Sequence, residues 1–452
     1  AVLLGAPMGV LIARSDIPGR HVLWILHAFP MFLPPFLLAL GWFQLFGQTG
    51  MLGGAITAQL LFSEFGLITL LVLIFTPIVS SLVALAVLGI DASLEEVART
   101  IAQPRHVIMR ILLPATRPAL VLAAVVVFAL TISELGVPMF LRVDVFPAAV
   151  FARLGGTSYA PGEAFALALP LLPVTLGLLA IERRFAGARA FAVAGLRGMS
   201  RSPLPLGRWR LMLSAAAWFV AIAGALPIGA LALRAATGGG FASVSQWLGR
   251  APWTSLSTSV VAATLICAVS LVLGHAVARR ARGALILDAI ALLAFVTPAS
   301  VLGVGLIAVW IGPATRALYG SVAILIIGFI ARYTIVGIRA ATAVILQSPV
   351  HLEEAAAVAG AGFWRRLTRI ILPANLRGLT ATWLLALIFC LRDFETAVLY
   401  YPPGREPLPV RIFTLEANGP GSVVAALALI QVLLTAIVLG AGMLIVKRPR
   451  HP

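Results

Sequence analysis

Ten segments of this 452-residue chain are apolar over the length that a helix needs to cross a lipid bilayer, about 20 residues. They lie near residues 21–47, 66–90, 117–140, 163–182, 211–234, 254–278, 285–311, 320–345, 376–399 and 421–446. Only 11% of the residues are charged, against about 25% in ordinary soluble domains. The sequence therefore predicts an all-α polytopic membrane protein and excludes a soluble enzyme as the main interpretation.

Basic residues give these segments a direction. The chain carries 33 basic and 16 acidic residues, for a net charge of +17. The arginines concentrate in alternate loops, and the longest of these, 183–210, holds seven, whereas loop 48–65 holds none. Membrane proteins keep such basic loops in the cytoplasm. The charge therefore indicates one cytoplasmic face, not a nucleic-acid-binding surface.

The sequence contains an internal repeat. Residues 94–120 (LEEVARTIAQPRHVIMRILLPATRPAL) resemble residues 352–379 (LEEAAAVAGAGFWRRLTRIILPANLRGL). The similarity extends outward, since 10–20 (VLIARSDIPGR) matches 275–284 (HAVARRARGA). Six predicted crossings separate the copies, and an even number makes the repeats parallel. The sequence thus predicts a first half at 1–182, a Gly- and Pro-rich cytoplasmic linker at 183–210 and a second half at 211–452.

The first half is expected to lack its beginning. Stretch 1–13 is apolar but too short to span, and it aligns with the end of segment 254–278, the second helix of the other half. We therefore expect eleven helices in this chain, one of them partial, and twelve in the full protein.

Each repeated loop is predicted to form a short helix on the cytoplasmic membrane surface. In the second copy Glu353 and Glu354 begin the helix, where acidic side chains complement the helix dipole. Small residues follow and would let a partner approach closely. Pro373 ends the element and starts the next membrane helix.

This loop resembles the EAA loop of ABC importer permeases. The second copy matches through Glu354, Ala355, Ala356, Gly360 and Leu372-Pro373. The first copy reads Glu96-Val97-Ala98, Ala102 and Leu113-Pro114, and it departs from the pattern at Val97, at Ala102 and by one deleted residue. Two copies on one chain are similar to the fused permeases of the ferric-iron and thiamine importer group.

The resemblance implies a type I ABC importer transmembrane fold in the bacterial inner membrane. The implied partners are an ATPase dimer, which holds ATP and Mg, and a periplasmic or lipid-anchored substrate-binding protein. The residues expected to couple to the ATPase are Glu95, Glu96, Ala98, Ala102, Pro114, Glu353, Glu354, Ala355, Ala356, Gly360 and Pro373. Ferric iron is the best guess for the transported solute, with thiamine or a polyamine as alternatives.

The chain is not expected to be an enzyme or to hold a cofactor or metal. A Walker A loop needs Lys followed by Ser or Thr, and the only lysine, Lys447, precedes Arg448. Cys267 and Cys390 lie in apolar segments and are expected to be buried thiols. A membrane-embedded enzyme would need a nucleophile or carboxylate cluster that the sequence does not display.

Ionisable residues inside the predicted spans are costly and usually face a polar interior. Glu134, Arg392, Asp393 and Glu395 are therefore predicted to line or gate the substrate pathway, and a structural ion pair is the alternative. Arg332 is a further possible partner of an acid. An ion-coupled secondary transporter is the alternative function, but it would not need paired cytoplasmic docking loops.

Overall fold

The computed structural model describes residues 1–90, 113–155, 160–185, 206–310 and 312–447, and every regular element among them is helical. The helices of the amino-terminal part are α1 Val2–Arg14, α2 Arg20–Ala28, α3 Pro35–Phe46, α4 Ala55–Leu61, α5 Glu64–Gly89, α6 Leu113–Ser133, α7 Gly136–Leu141, α8 Phe146–Gly155, α9 Pro161–Ala168 and α10 Leu171–Phe185. The all-α prediction is confirmed for these described ranges.

The remaining helices follow the 183–210 segment, of which residues 186–205 lie outside the described residues. They are α11 Arg210–Thr237, α12 Gly240–Leu248, α13 Ala251–Ala278, α14 Ala284–Val296, α15 Ala299–Trp310, α16 Arg316–Tyr319, α17 Val322–Ile345, α18 His351–Val358, α19 Phe363–Arg366, α20 Leu372–Ala374, α21 Leu376–Arg392, α22 Glu395–Tyr400, α23 Leu408–Glu416 and α24 Gly421–Lys447. A π-helical turn, Leu367–Ile371, joins α19 to α20.

The chain is a multi-pass membrane protein. Within the described residues, six continuous helices are long and apolar enough to cross a bilayer: α5, α6, α11, α13, α17 and α24. Three sharply bent helix pairs raise the number to nine if each pair is one span. The predicted total of eleven helices is not confirmed by this part of the chain.

Two of the bent pairs break at proline. Helices α2 and α3 meet at 108°, and α14 and α15 meet at 109°. The residue before proline favours extended backbone over helix. Leu33, before Pro34, has ψ 154°, and Thr297, before Pro298, has ψ 127°. The predicted spans 21–47 and 285–311 are therefore each two helices, and the break is far larger than a kink.

Three other predicted spans also end early. Segment 117–140 is divided between α6 and α7, and segment 376–399 between α21 and α22. Segment 163–182 is divided between α9 and α10, which are separated by Leu169 and Pro170. Neither α9 nor α10 alone has the length of a span. Hydropathy predicted these segments as single helices because the apolar run continues through each break.

Contacts divide the chain into two compact units. Unit 1 comprises Ala1–Val145 and Leu176–Arg234, and unit 2 comprises Phe146–Thr175 and Ala235–Pro452. Most of α11 thus belongs with the first unit, and α8 and α9 belong with the second. The predicted permease halves, 1–182 and 211–452, stay a prediction, and the compact units have different boundaries.

In unit 1, α11 packs against α1 and α2. Ala217 and Ala221 of this helix form a buried cluster with Met8, Ile12, Ile17 and Leu23. The Arg210 Nε lies 3.3 Å from an Asp16 carboxylate oxygen, and the Trp218 indole donates to the carbonyl of Pro18 at 3.3 Å. Small side chains on α11 permit this close approach to α1 and α2.

Unit 2 is built on the pair α13 and α17. A Cβ at Gly274 of α13 would lie only 2.8 Å from the Cβ of Ala341 on α17. The Thr342 hydroxyl, also on α17, lies 3.3 Å from the carbonyl oxygen of Gly274 and can donate to it. Small residues of this kind let membrane helices pack backbone to backbone, where van der Waals contact is the main attraction. This pair carries both candidate sites described below.

Candidate functional site

The second repeated loop folds as two short helical pieces joined by a glycine turn. Helix α18 ends in a Schellman motif, in which the Ala361 amide donates to Ala356 O and the Gly360 amide to Ala357 O, both at 2.9 Å. Gly360 has φ +80°, a backbone conformation that glycine adopts without strain. The chain then re-enters helix at Phe363. The glycine of the motif therefore sets the angle at which α18 ends.

One face of this loop is open to solvent. Among the predicted coupling residues, Glu354, Ala355, Gly360 and Pro373 are exposed and Ala356 is half-buried. Large apolar side chains share the exposure, with Val358 at 91%, Trp364 at 65% and Leu352 at 48%. Apolar side chains exposed together on a loop outside the spanning helices mark a site of contact with another protein or with the membrane surface.

Glu353 faces the opposite way and is buried. Its Oε2 lies 2.7 Å from Nε2 of His275, and its Oε1 accepts from Nε of Arg279 at 2.9 Å. Burial raises the pKa of the Glu353 carboxyl, but the hydrogen bonds and charges of His275 and Arg279 outweigh that effect and hold the pKa below its usual value. Sequence reasoning placed Glu353 among the docking residues; its side chain instead contacts the end of α13.

The first repeated loop is largely outside the described residues. This applies to Glu95, Glu96, Ala98 and Ala102. Pro114 is described and lies in the first turn of α6, as Pro373 lies in the first turn of α20. The prediction that Pro373 starts the next membrane helix is wrong, because Pro373 lies inside the helical stretch Phe363–Ala374 and the membrane helix α21 begins at Leu376.

A second cluster of charged residues lies within the spanning region of unit 2. Arg332 of α17 is 2% exposed and pairs with the carboxylate of Glu395, while its NH1 donates to the Thr396 hydroxyl at 3.2 Å. Asp393 accepts a hydrogen bond from the Tyr333 hydroxyl and lies 3.8 Å from Arg332. Arg332 is thus the cation that these two acids share.

Arg392, the remaining residue predicted for the pathway, is 8% exposed and lies at the end of α21. Its guanidinium lies 5.8 Å from the centre of the Phe389 ring. On α17, the Arg339 guanidinium contacts the carboxylate of Asp288 at 2.7 Å. Arg339 and Arg392 therefore both have partners within unit 2.

The helix breaks in the two repeats have the same geometry. The Glu134 carboxylate accepts from the amide of Val137 at 3.0 Å and precedes α7. The Asp393 carboxylate accepts from the amide of Thr396 at 2.6 Å and precedes α22. Each acid therefore caps a short helix three residues on, as N-terminal capping residues do. Asp393 is therefore the structural counterpart of Glu134.

The described residues contain no group of three or more His, Cys, Asp or Glu side chains placed to hold a metal ion. Cys390 is buried and Cys267 is half-buried, and both thiols are free. The clusters just described are arginine–carboxylate pairs, in which each buried charge is compensated by its partner.

Known proteins similar to this chain are transport permeases. No protein-family model matches it. A putative ferric transport system permease protein of Haemophilus influenzae is 26% identical over 377 residues, covering 77% of this chain and 59% of the relative. A ferric transport system permease protein of Actinobacillus pleuropneumoniae is 25% identical over 395 residues, covering 80% and 57%.

A third relative aligns with a shorter stretch. The putative 2-aminoethylphosphonate transport system permease protein of Salmonella typhi is 28% identical over 196 residues, covering 40% of this chain and 67% of the relative. The chain is a homologue of ABC transporter permeases. It spans less than two thirds of the length of the two ferric permeases.

Proposed function

We propose that this chain is the membrane-spanning permease subunit of an ATP-driven importer in the bacterial inner membrane. The observation that carries the proposal is the second repeated loop: a short helix with Glu354 and Ala355 exposed on one side and Glu353 buried on the other. The homology of this chain to ABC transporter permeases supports the same interpretation. The exposed side is the surface that an ATPase subunit would contact.

The ATPase is proposed to be a separate polypeptide that holds ATP and Mg. The proposal is supported by the sequence, in which no lysine is followed by the Ser or Thr that a Walker A loop requires. A periplasmic or lipid-anchored binding protein is proposed to deliver the solute to the opposite face. This chain would supply the route through the membrane, alternately open to either side, and would carry out no covalent chemistry.

Ferric iron is the proposed solute. Two permeases whose names specify ferric transport align with 77% and 80% of this chain. 2-Aminoethylphosphonate and molybdenum, which appear in the names of relatives that align with shorter stretches, are competing solutes, as are thiamine and a polyamine from the sequence comparison. The buried acids Asp393 and Glu395 are proposed to stabilise the pathway wall through Arg332, and Glu134 to cap the corresponding break in the other repeat.

Reconstitution tests the proposal. The chain, its ATPase and its binding protein are placed in proteoliposomes, and uptake of ferric iron, molybdate and 2-aminoethylphosphonate is measured with and without internal ATP. We expect ATP-dependent uptake of ferric iron. Uptake driven by an ion gradient without ATP would favour the secondary transporter and contradict the proposal.

Copurification tests the docking surface separately. Glu354→Arg together with Glu96→Arg is expected to abolish recovery of the ATPase with the permease, because like charges at the contact repel and the loop loses its acidic partner groups. Gln347→Arg, which adds a cation at an exposed position just before the loop, is the matched control and should leave recovery unchanged. Normal recovery of the ATPase with the double variant would contradict docking at these loops.

A further inference from the structure

The last turns of α13 form a receptor for the coupling loop. His275 and Arg279 are four residues apart and therefore lie on one face of the helix. Both reach the carboxylate of Glu353, Arg279 at 2.7 Å through NH2 and His275 at 2.7 Å through Nε2. The three side chains are 16% exposed or less. A carboxylate buried to this degree is costly unless it is paired, so its two partners fix the position of α18.

The same arginine also holds the entrance and exit of the loop. Arg279 NH2 donates to the Ser348 carbonyl at 3.3 Å, just before α18. The Ser348 hydroxyl in turn donates to Oδ1 of Asn375 at 2.8 Å, just after α20. The two ends of the loop are therefore tied together at one point on α13.

Apolar contacts surround this charged contact. The ring of Phe363, at the start of α19, lies 5.8 Å from the His275 ring. Leu367 and Ile371 pack in a buried cluster with Ile345, against Leu271, Val272 and Ala278 of α13. Both helical pieces of the loop thus rest on the same two turns of α13.

Close packing then links α13 to α17. Gly274 lies one residue before His275 and touches the α17 backbone. The Ser270 hydroxyl is 3.4 Å from the carbonyl of Thr334 on α17. Because backbones in direct contact cannot slide without losing these contacts, a displacement of α18 that moves the end of α13 also moves α17.

We propose that Glu353, held by His275 and Arg279, is a positioning clamp that converts movement of the docked ATPase into movement of α13 and α17. The clamp rests on the proposed function, since it acts only if an ATPase docks on this loop. It assigns different tasks to adjacent glutamates: Glu354 faces the partner, and Glu353 transmits the partner's motion to the membrane helices. Glu353 acts through α13 and touches neither solute nor nucleotide.

The test measures how much transport each ATP supports. The complete complex with its ATPase and binding protein is reconstituted with wild-type chain, Glu353→Ala, Arg279→Ala and the control Gln347→Ala, whose side chain is exposed and outside the clamp. We expect Glu353→Ala to bind the ATPase as wild type does and to hydrolyse ATP. The ratio of solute transported to ATP hydrolysed should fall roughly fivefold or more, the scale of a modest coupling free energy. Gln347→Ala should keep the wild-type ratio.

Charge exchange separates transmission from stability. Glu353→Arg combined with Arg279→Glu rebuilds the ion pair in reverse and is expected to recover part of the ratio that each single change loses. If Glu353→Ala does not accumulate in the membrane, Glu353→Gln, which keeps the size and one carbonyl acceptor, is expected to lower the ratio by a smaller factor.

Three results would overturn the clamp. A wild-type ratio in Glu353→Ala or, if only that variant accumulates, in Glu353→Gln would show that transmission does not need the contact. Loss of the ATPase from the Glu353→Ala complex, with Glu354→Arg still binding it, would make Glu353 the docking residue. A wild-type complex that transports without any ATPase would overturn the proposed function and, with it, the clamp; normal ATP-driven transport by all variants would overturn the clamp alone.

Discussion

At the scale of single residues, the arginine–carboxylate cluster shows how much one side chain can determine. Arg332 is the shared cation of Asp393 and Glu395, and all three lie in the spanning region of unit 2. A buried ion pair is weak evidence for stability as a pair, but removing one partner leaves a charge buried without compensation. The main effect of removing the Arg332 guanidinium is therefore to leave the carboxylates of Asp393 and Glu395 without their shared cation.

We expect Arg332→Leu to destabilise the protein by roughly 3–5 kcal/mol for that reason. Thermal unfolding of the detergent-solubilised chain measures the effect as a fall in midpoint temperature. Arg405→Leu, at an exposed position outside the spanning helices, is the control and should unfold as wild type does. An unchanged midpoint for Arg332→Leu would show that the two carboxylates are hydrated or protonated in the native protein.

Gly360 offers a second residue-scale test. At φ +80°, a side chain strains the backbone by roughly 1–2 kcal/mol. Gly360→Ala is therefore expected to shift the end of α18 and reduce ATPase copurification. Gly362→Ala is a close control, since Gly362 has φ −66° and no atom within 4 Å of an added Cβ. Equal recovery of the ATPase with both variants would contradict a role for the turn.

The sequence allowed several of these residues to be chosen but not their contacts. The EAA pattern identified Glu354, which is exposed as a docking residue should be. It gave no reason to separate Glu353, because only the phase of an eight-residue helix and the position of α13 decide which of two adjacent acids is buried. Arg14 is buried at 3% and aligns with Arg279 in the repeat, a signal that could have directed attention to the latter.

At the scale of elements, hydropathy located the spans, but it could not locate their breaks. Residues 117–140 and 376–399 are apolar on average, yet the helix stops at Ser133 and at Arg392. In both cases an acid accepts a backbone amide of the next short helix, and that capping contact compensates for the interrupted helix. An average of apolar character over 20 residues does not respond to one side chain.

The α13–α17 contact is the element-scale feature most open to test. Gly274→Ala places a methyl group 2.8 Å from the Cβ of Ala341 and 3.1 Å from the Thr342 nitrogen, neither of which can move independently of its helix. We expect a loss of stability of roughly 1–3 kcal/mol from overpacking. Thermal unfolding measures it.

The matched control is Gly305→Ala on α15, where an added Cβ meets nothing within 4 Å. The same substitution there should be neutral or slightly stabilising, because alanine favours helix over glycine. Equal stability of the two variants would mean that α13 and α17 are more loosely packed than their glycine contact indicates.

At the scale of the whole molecule, the repeat and the compact units describe different divisions of the chain. The repeat pairs 94–120 with 352–379, whereas contacts place Phe146–Thr175 in unit 2 and Leu176–Arg234 in unit 1. Sequence similarity records which segments resemble each other; it carries no information on which segments pack together. For that reason the sequence could not predict that α8 belongs to unit 2 and most of α11 to unit 1.

The prediction at this scale concerns which side of the membrane each loop faces. Cytoplasmic placement of the basic loops puts Val358 inside the cell and Arg405 outside it. After replacing Cys267 and Cys390 by alanine, we expect Arg405→Cys to react with a membrane-impermeant maleimide in intact cells. Val358→Cys, at 91% exposure, should react only once the membrane is opened. Labelling of Val358→Cys in intact cells would reverse the orientation.

Helix α18 has one buried and one exposed side, and under the proposed function this division bears on how the chain could come to bind a different ATPase. Residues on the outer side of α18, including Glu354 and Val358, take no part in the buried contacts of Glu353. Under the proposed function, substitutions there would alter which ATPase is recognised, while the attachment to α13 stays intact. If an ATPase docks here, the residues that determine partner specificity and the residues that attach the loop to α13 lie on opposite sides of one helix. The two sets of residues can therefore change independently during evolution.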